Sequence, residues 1–188
     1  RRRPAGRSTV VVIGVEFSQW TPLMRHWLLW MGRECPDIAI SVHVGTADRL
    51  MEQVQEGALD IAILYAAPPR PGIVAELLFE EKLVLVTTLS PGRQPASDDW
   101  IHLDWGEEFQ ASFRAAFPEV GSGLVTIDYG PMALDYLLAQ GGTGYFRMGM
   151  VRSLVDQRRL RLAPDSPEFS YPSYIVHSTN ADASAMAE

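Results

Sequence analysis

The sequence holds one cysteine, Cys35, and one lysine, Lys82, among 188 residues. A single cysteine cannot close a disulfide within the chain, which favours a reducing compartment. Placed before Pro36 at the expected end of a helix, it reads as a packing residue. No apolar run approaches the ~20 residues needed to cross a bilayer, and no signal peptide is legible at the start. No membrane partner is therefore expected. The four histidines, His26, His43, His102 and His177, fall at no metal-ligand spacing, and none stands beside Cys35. No G-x-S-x-G elbow and no G-x-x-x-x-G-K-S/T loop occurs. Gly141-Gly142-Thr143-Gly144 follows a helix instead of opening one, so it reads as a helix stop and not as a phosphate cradle. No catalytic residue, metal or cofactor is therefore expected. Positive charge is also short: the formal net charge is −7. A module that grips a phosphate backbone is usually basic, so this chain is not expected to hold nucleic acid by itself. Only Arg1-Arg2-Arg3-Pro4-Ala5-Gly6-Arg7 is basic, and residues 1–8 read as a linker or remnant outside the fold.

What is present is an ordinary globular composition, 47% hydrophobic and 21% charged, in a chain long enough for one domain or two small lobes. Val10–Val15 is a continuous apolar, mostly β-branched run, as in a strand buried on both faces. Thr21-Pro22 then offers a helix start, with threonine as cap and proline in the first turn. Leu23, Met24, Trp27, Leu28 and Met31 repeat at helical spacing until Cys35-Pro36-Asp37. Ile38, Ile40, Val42 and Val44 alternate as a strand. The Gly45-Thr46-Ala47 turn opens a second helix that Gly57 ends, and Asp60–Leu64 is a third strand. Repeated strand–helix–strand units predict parallel pairing with right-handed crossovers.

Leu77–Phe79 and Leu83–Leu89 are expected as two further strands, with Glu80-Glu81-Lys82 as their turn. Ser90-Pro91-Gly92-Arg93-Gln94-Pro95 breaks the pattern and marks a lobe boundary. Beyond it the alternation restarts, with strands at 100–103, 124–127 and 145–146, helices at 107–117, 131–140 and 150–157, and an edge strand at 159–162. Pro164–Pro172 reads as a second linker and Tyr174–His177 as a last strand, with a helix beginning at Asn180. Lobe I would be 9–89 with 164–188, and lobe II 90–163. In open parallel sheets, ligands bind beyond the carboxyl ends of strands, where helix N-termini point.

Two local features admit more than one reading. Asp98-Asp99 and Asp104-Trp105-Gly106-Glu107-Glu108 gather carboxylates that a small enzyme could use. Glu107 and Glu108 nonetheless sit where a helix first turn favours negative charge. Trp105 is either a cleft wall or core packing. The first helix carries more apolar side chains than one stripe needs, which favours a subunit interface over a helix sandwiched inside the domain.

Three stretches, in this order and spacing, resemble the effector-binding domain of LysR-type transcriptional regulators. They are "TPLMRHWLLWMGRECPDIAISVHVGTADRLMEQVQEGALDIAIL" at 21–64, "LLFEEKLVLVTTLSPG" at 77–92 and "ALDYLLAQGGTGYFRMGMV" at 133–151. The resemblance covers nearly all of 9–178. It implies an α/β, periplasmic-binding-protein-like (type 2) fold of two Rossmann-like lobes joined by two crossover segments. It implies a bacterial, cytoplasmic sensor that binds a small-molecule inducer between the lobes and so alters how an attached helix-turn-helix dimer sits on DNA. No helix-turn-helix precedes Val10 here, so DNA contact would belong to an N-terminal domain absent from this chain.

Carried over by position, the effector site would comprise Ser18, Gln19, Thr46, Ala47 and Tyr65, facing Trp105, Tyr129, Pro131 and Phe146. The family pairing through the first helix would use Met24, Trp27, Leu28, Trp30 and Met31 as a homodimer interface, with a tetramer in the full-length protein. Two helix N-termini with hydroxyl donors favour a carboxylate inducer. Glu16 runs against that: it either points away from the ligand or selects a cationic or neutral one. The alternative function is a periplasmic solute-binding protein of the same fold.

Overall fold

The computed structural model describes residues 9–19, 23–65, 67–121 and 125–179. It divides into two compact units, 1–80 with 172–188 and 81–171. The expected helix start at Thr21-Pro22 and the expected helix from Asn180 lie outside the described residues.

The first unit is built on β1 (Thr9–Glu16), β2 (Ile38–Gly45) and β3 (Ile61–Leu64), with α1 (Arg25–Glu34) and α2 (Ala47–Gln55) as crossovers. β1 lies between β2 and β3 and is parallel to both, in register from Thr9↔Ile38 to Glu16↔Gly45 and at Val15↔Ile63. β9 (Phe169–Ser178) adds antiparallel to β3, from Ile61↔His177 to Leu64↔Tyr174. Successive side chains of a strand point to opposite faces, and β1 uses both. Val12 packs with Leu50, Met51 and Val54 of α2, while Ile13 and Val15 pack with Met24 and Ile63. This is why the run had to be apolar throughout instead of alternating. Asp60 closes the base of the sheet: its Oδ2 accepts from the Val12 amide at 2.7 Å, and its own amide donates to the Val12 carbonyl at 2.8 Å.

The second unit takes the far half of β4 (Ile73–Thr87), β5 (Ile101–Leu103), α3 (Glu107–Ala116), β6 (Val125–Ile127), α4 (Gly130–Gln140), β7 (Thr143–Arg147), α5 (Met148–Asp156) and β8 (Arg161–Leu162). β4 pairs antiparallel with β7, from Leu83↔Arg147 to Thr87↔Thr143, and with β8; β5 and β6 are parallel. The core is aromatic, with Trp100, Phe109, Phe113 and Tyr145 stacked edge to face or tilted around Leu83–Val86.

Two expectations change. Residues 77–89 are not two strands with a turn at Glu80-Glu81-Lys82, because β4 runs unbroken through them. Glu81 instead holds the buried Arg147 at 3.1 Å and accepts from the Gly149 amide at 2.8 Å. The junctions between units accordingly fall at 80/81 and 171/172 instead of 89/90 and 163/164. Leu83–Thr87 is committed by its hydrogen bonds to β7, so it belongs with the second unit. The pairing is also mixed, since β7, β8 and β9 all join antiparallel.

Candidate functional site

The carboxyl ends of β1, β2 and β3 meet at one edge of the first unit. Glu16 ends β1 opposite Gly45, the last residue of β2, so Thr46 stands immediately beyond the sheet. Tyr65 follows the end of β3, and its amide donates to Glu16 Oε2 at 2.9 Å. That bond ties two strand ends together through a side chain. One carboxylate oxygen of Glu16 is thereby directed along the strand ends onto backbone. Burial pushes the Glu16 pKa up, and the Tyr65 amide offsets this only in part.

Thr46 is the N-cap of α2, in extended conformation, and its hydroxyl makes no capping bond. The residue is exposed and Ala47 half-buried. The positive end of α2 and a hydroxyl not used in capping thus occupy the same spot. Gln19 ends the short 3-10 turn Phe17–Gln19 and is fully buried. Its Nε2 donates to Ser173 Oγ at 2.6 Å, so its amide hydrogens do not simply face outward as expected. Its Oε1 has no hydrogen-bond partner among the described residues. Ser173 comes from β9, more than 150 positions later in the chain, and no local signal in the sequence could have paired it with Gln19. The Ser18 side chain lies outside what the structure describes.

In the second unit the assignments separate. Trp105 and Phe146 are core residues, 5% and 0% exposed. The Trp105 indole N–H donates to the Tyr145 carbonyl at 2.9 Å, and its ring packs edge-on against Tyr171. Of the two readings of Trp105, core packing is correct, and neither residue is a wall. Phe146 is buried because every position of β7 is covered. Tyr129 and Pro131 do remain at the surface, half-buried at the start of α4, where proline fits the first turn. Gly130 between them lies under Trp105, whose ring would stand 3.1 Å from an added Cβ.

Met24, at the N-cap of α1, and Met31 within it are buried, while Trp27 and Leu28 are half-buried. Trp30, 48% exposed, stands out with its neighbour Leu29, 57% exposed. The carboxylates near Asp104 form no site. Asp104 Oδ1 accepts from the Gly106 amide at 3.0 Å, and Glu107 and Glu108 fill the first turn of α3. No cluster of three or more metal-ligating side chains occurs among the described residues, and no helix among them is long and apolar enough to cross a membrane.

A family model described as "LysR substrate binding domain" matches residues 4–188. The curated relative HTH-type transcriptional regulator HdfR of Salmonella schwarzengrund (strain CVM19633) is 26% identical over 174 residues, covering 90% of this chain and 61% of its own length. The chain thus spans less than two thirds of the curated relatives it matches. Among solved structures, the regulatory domain of HypT from Salmonella typhimurium superposes with a TM-score of 0.74 at 12% identity, covering 92% of this chain and 87% of that one. DarR from Vibrio fischeri, solved in complex with DNA, gives 0.74 at 15% identity over 93% and 62%.

Proposed function

The chain belongs to the LysR substrate-binding-domain family, and from that premise we propose that it senses a small molecule at the strand ends of its first unit. The fold is the α/β, periplasmic-binding-protein-like (type 2) fold of that family. Its curated relatives are transcriptional regulators, not enzymes.

The observation that carries the reading is the open N-terminus of α2. Its cap hydroxyl makes no capping bond, and a helix start with a hydroxyl beside it suits an anionic or strongly polar group. Two acids stand nearby: Asp48, in the first turn of α2, is paired with Arg70 at 2.7 Å, and Glu16 accepts from the Tyr65 amide, with burial raising its pKa. A small carboxylate is therefore the inducer class we favour. Tyr129 and Pro131 stay half-buried at the surface of the second unit, at the start of α4.

In the longer protein this domain would pair through α1, and tetramers would form. DNA would be held by a separate winged helix-turn-helix, in the bacterial cytoplasm. Inducer can shift such an assembly only by as much as it prefers one state over another. The periplasmic receptor alternative has no support among the curated relatives, which are named as regulators.

A thermal-shift screen with small metabolites, followed by titration of Thr46→Ala, tests the site. Loss of one hydroxyl hydrogen bond should weaken a confirmed ligand about three- to tenfold. Equal affinity for wild type and variant would show the site to be elsewhere.

A further inference from the structure

The second unit contains a cavity of about 570 Å³ that the strand-end site does not use. That volume falls in the range of about 300–1,000 Å³ common for small-molecule sites. Its floor is Thr87 and Thr143, nearly sealed at 6% and 1% exposure, with Trp100 and Leu85 as buried apolar wall. Phe117 and Val120 continue the apolar side. The two threonine hydroxyls are engaged with each other at 2.8 Å, and Thr87 also bonds the Gly142 carbonyl and the Leu89 amide. They shape the floor but are already occupied.

Arg161 is different. It lines the same cavity, half-buried, from β8 directly opposite Thr87. Its Nη2 donates to the Leu89 carbonyl, which fixes the guanidinium in place. Among the described residues it makes no ion pair, although Arg147 and Arg93 of the same unit both have carboxylate partners. The two acids that line the cavity, Glu119 and Asp165, are both exposed. A half-buried cation normally has an acid partner or a bound anion, because partial desolvation weakens its hydration without replacing it.

We propose that this cavity is a second ligand site, which takes a small organic monocarboxylate with a flat apolar body. The carboxylate would meet the open edge of the Arg161 guanidinium, and the body would lie along Trp100, Phe117 and Leu85. The inference is independent of the strand-end reading.

Benzoate, benzamide and acetate separate the contributions, titrated into the 188-residue chain with backbone amide shifts as readout. Benzoate should bind saturably and move the amides of Thr87, Thr143 and Ser166. Benzamide lacks the charge and acetate lacks the body, so each should bind at least about tenfold more weakly. Arg161→Gln should weaken benzoate about tenfold or more, while Arg161→Lys, which keeps the charge, should retain most of the affinity and guards against a folding defect. The proposal is overturned by any of four results: no saturable benzoate binding at millimolar concentration, benzamide binding as well as benzoate, an unchanged affinity in Arg161→Gln, or shifts centred on Thr46–Asp48 instead.

Discussion

Glu16 shows how one side chain can serve structure and chemistry together. Its carboxyl joins β1 to the residue after β3 through the Tyr65 amide, and burial raises its pKa above the ordinary 4.5. The folded chain therefore holds this proton to higher pH than the unfolded chain does. Between the two pKa values the folded state binds more protons, so this group's contribution to stability falls as pH rises through that window. Glu16→Gln keeps an acceptor for the amide and cannot titrate. Urea unfolding at about pH 4 and about pH 7 should show the variant gaining on wild type as pH rises. A constant difference across that range would mean Glu16 is not held toward its neutral form.

Among the elements, β1 is the most constrained because both its faces are covered. Gly14 is where its neighbours crowd the backbone most. An added Cβ would stand 2.6 Å from Leu59 Cδ1, 2.8 Å from Leu50 Cδ2 and 3.3 Å from Ala62 Cβ. All three neighbours are themselves buried, so the leucines cannot simply swing into solvent. Gly14→Ala should destabilise by about 1–3 kcal/mol, read as a lower urea midpoint with an unchanged slope. The alternation and length of β1, β2 and β3 were legible because burial on both faces leaves an apolar run. β4 was not legible as one strand. Its first half is exposed at Ala75–Leu78, and Glu80-Glu81-Lys82 looks like a turn. Two of those charged residues find partners only in the folded chain, Glu81 with Arg147 and Lys82 with Glu168, and both partners lie far along the chain.

At the scale of the whole molecule, the apolar side chains left outside the cores bear on assembly. Leu29 and Trp30 are adjacent on α1 and largely exposed, and exposed aromatic residues are common at the centre of interfaces. If the domain pairs through α1, Trp30→Glu should weaken self-association at least about tenfold in sedimentation equilibrium. Its folding should change little, since an exposed substitution is usually within about 0.5 kcal/mol. An unchanged dimer would move the interface away from this helix.

The sequence by itself determined the βα alternation, the family, the lack of metal-ligand spacing, and the strand-end positions Glu16, Thr46 and Tyr65. These depend on periodicity and on turn chemistry, which act over a few residues. The tertiary structure alone decided which of the remaining residues reach a surface. It sealed Trp105 and Phe146 inside the second unit, where the indole N–H is satisfied by Tyr145. It engaged the amide of Gln19 with Ser173, and it left Arg161 beside a cavity without an acid partner among the described residues. Each of those outcomes depends on groups distant in sequence, whose proximity is fixed only when the sheets form.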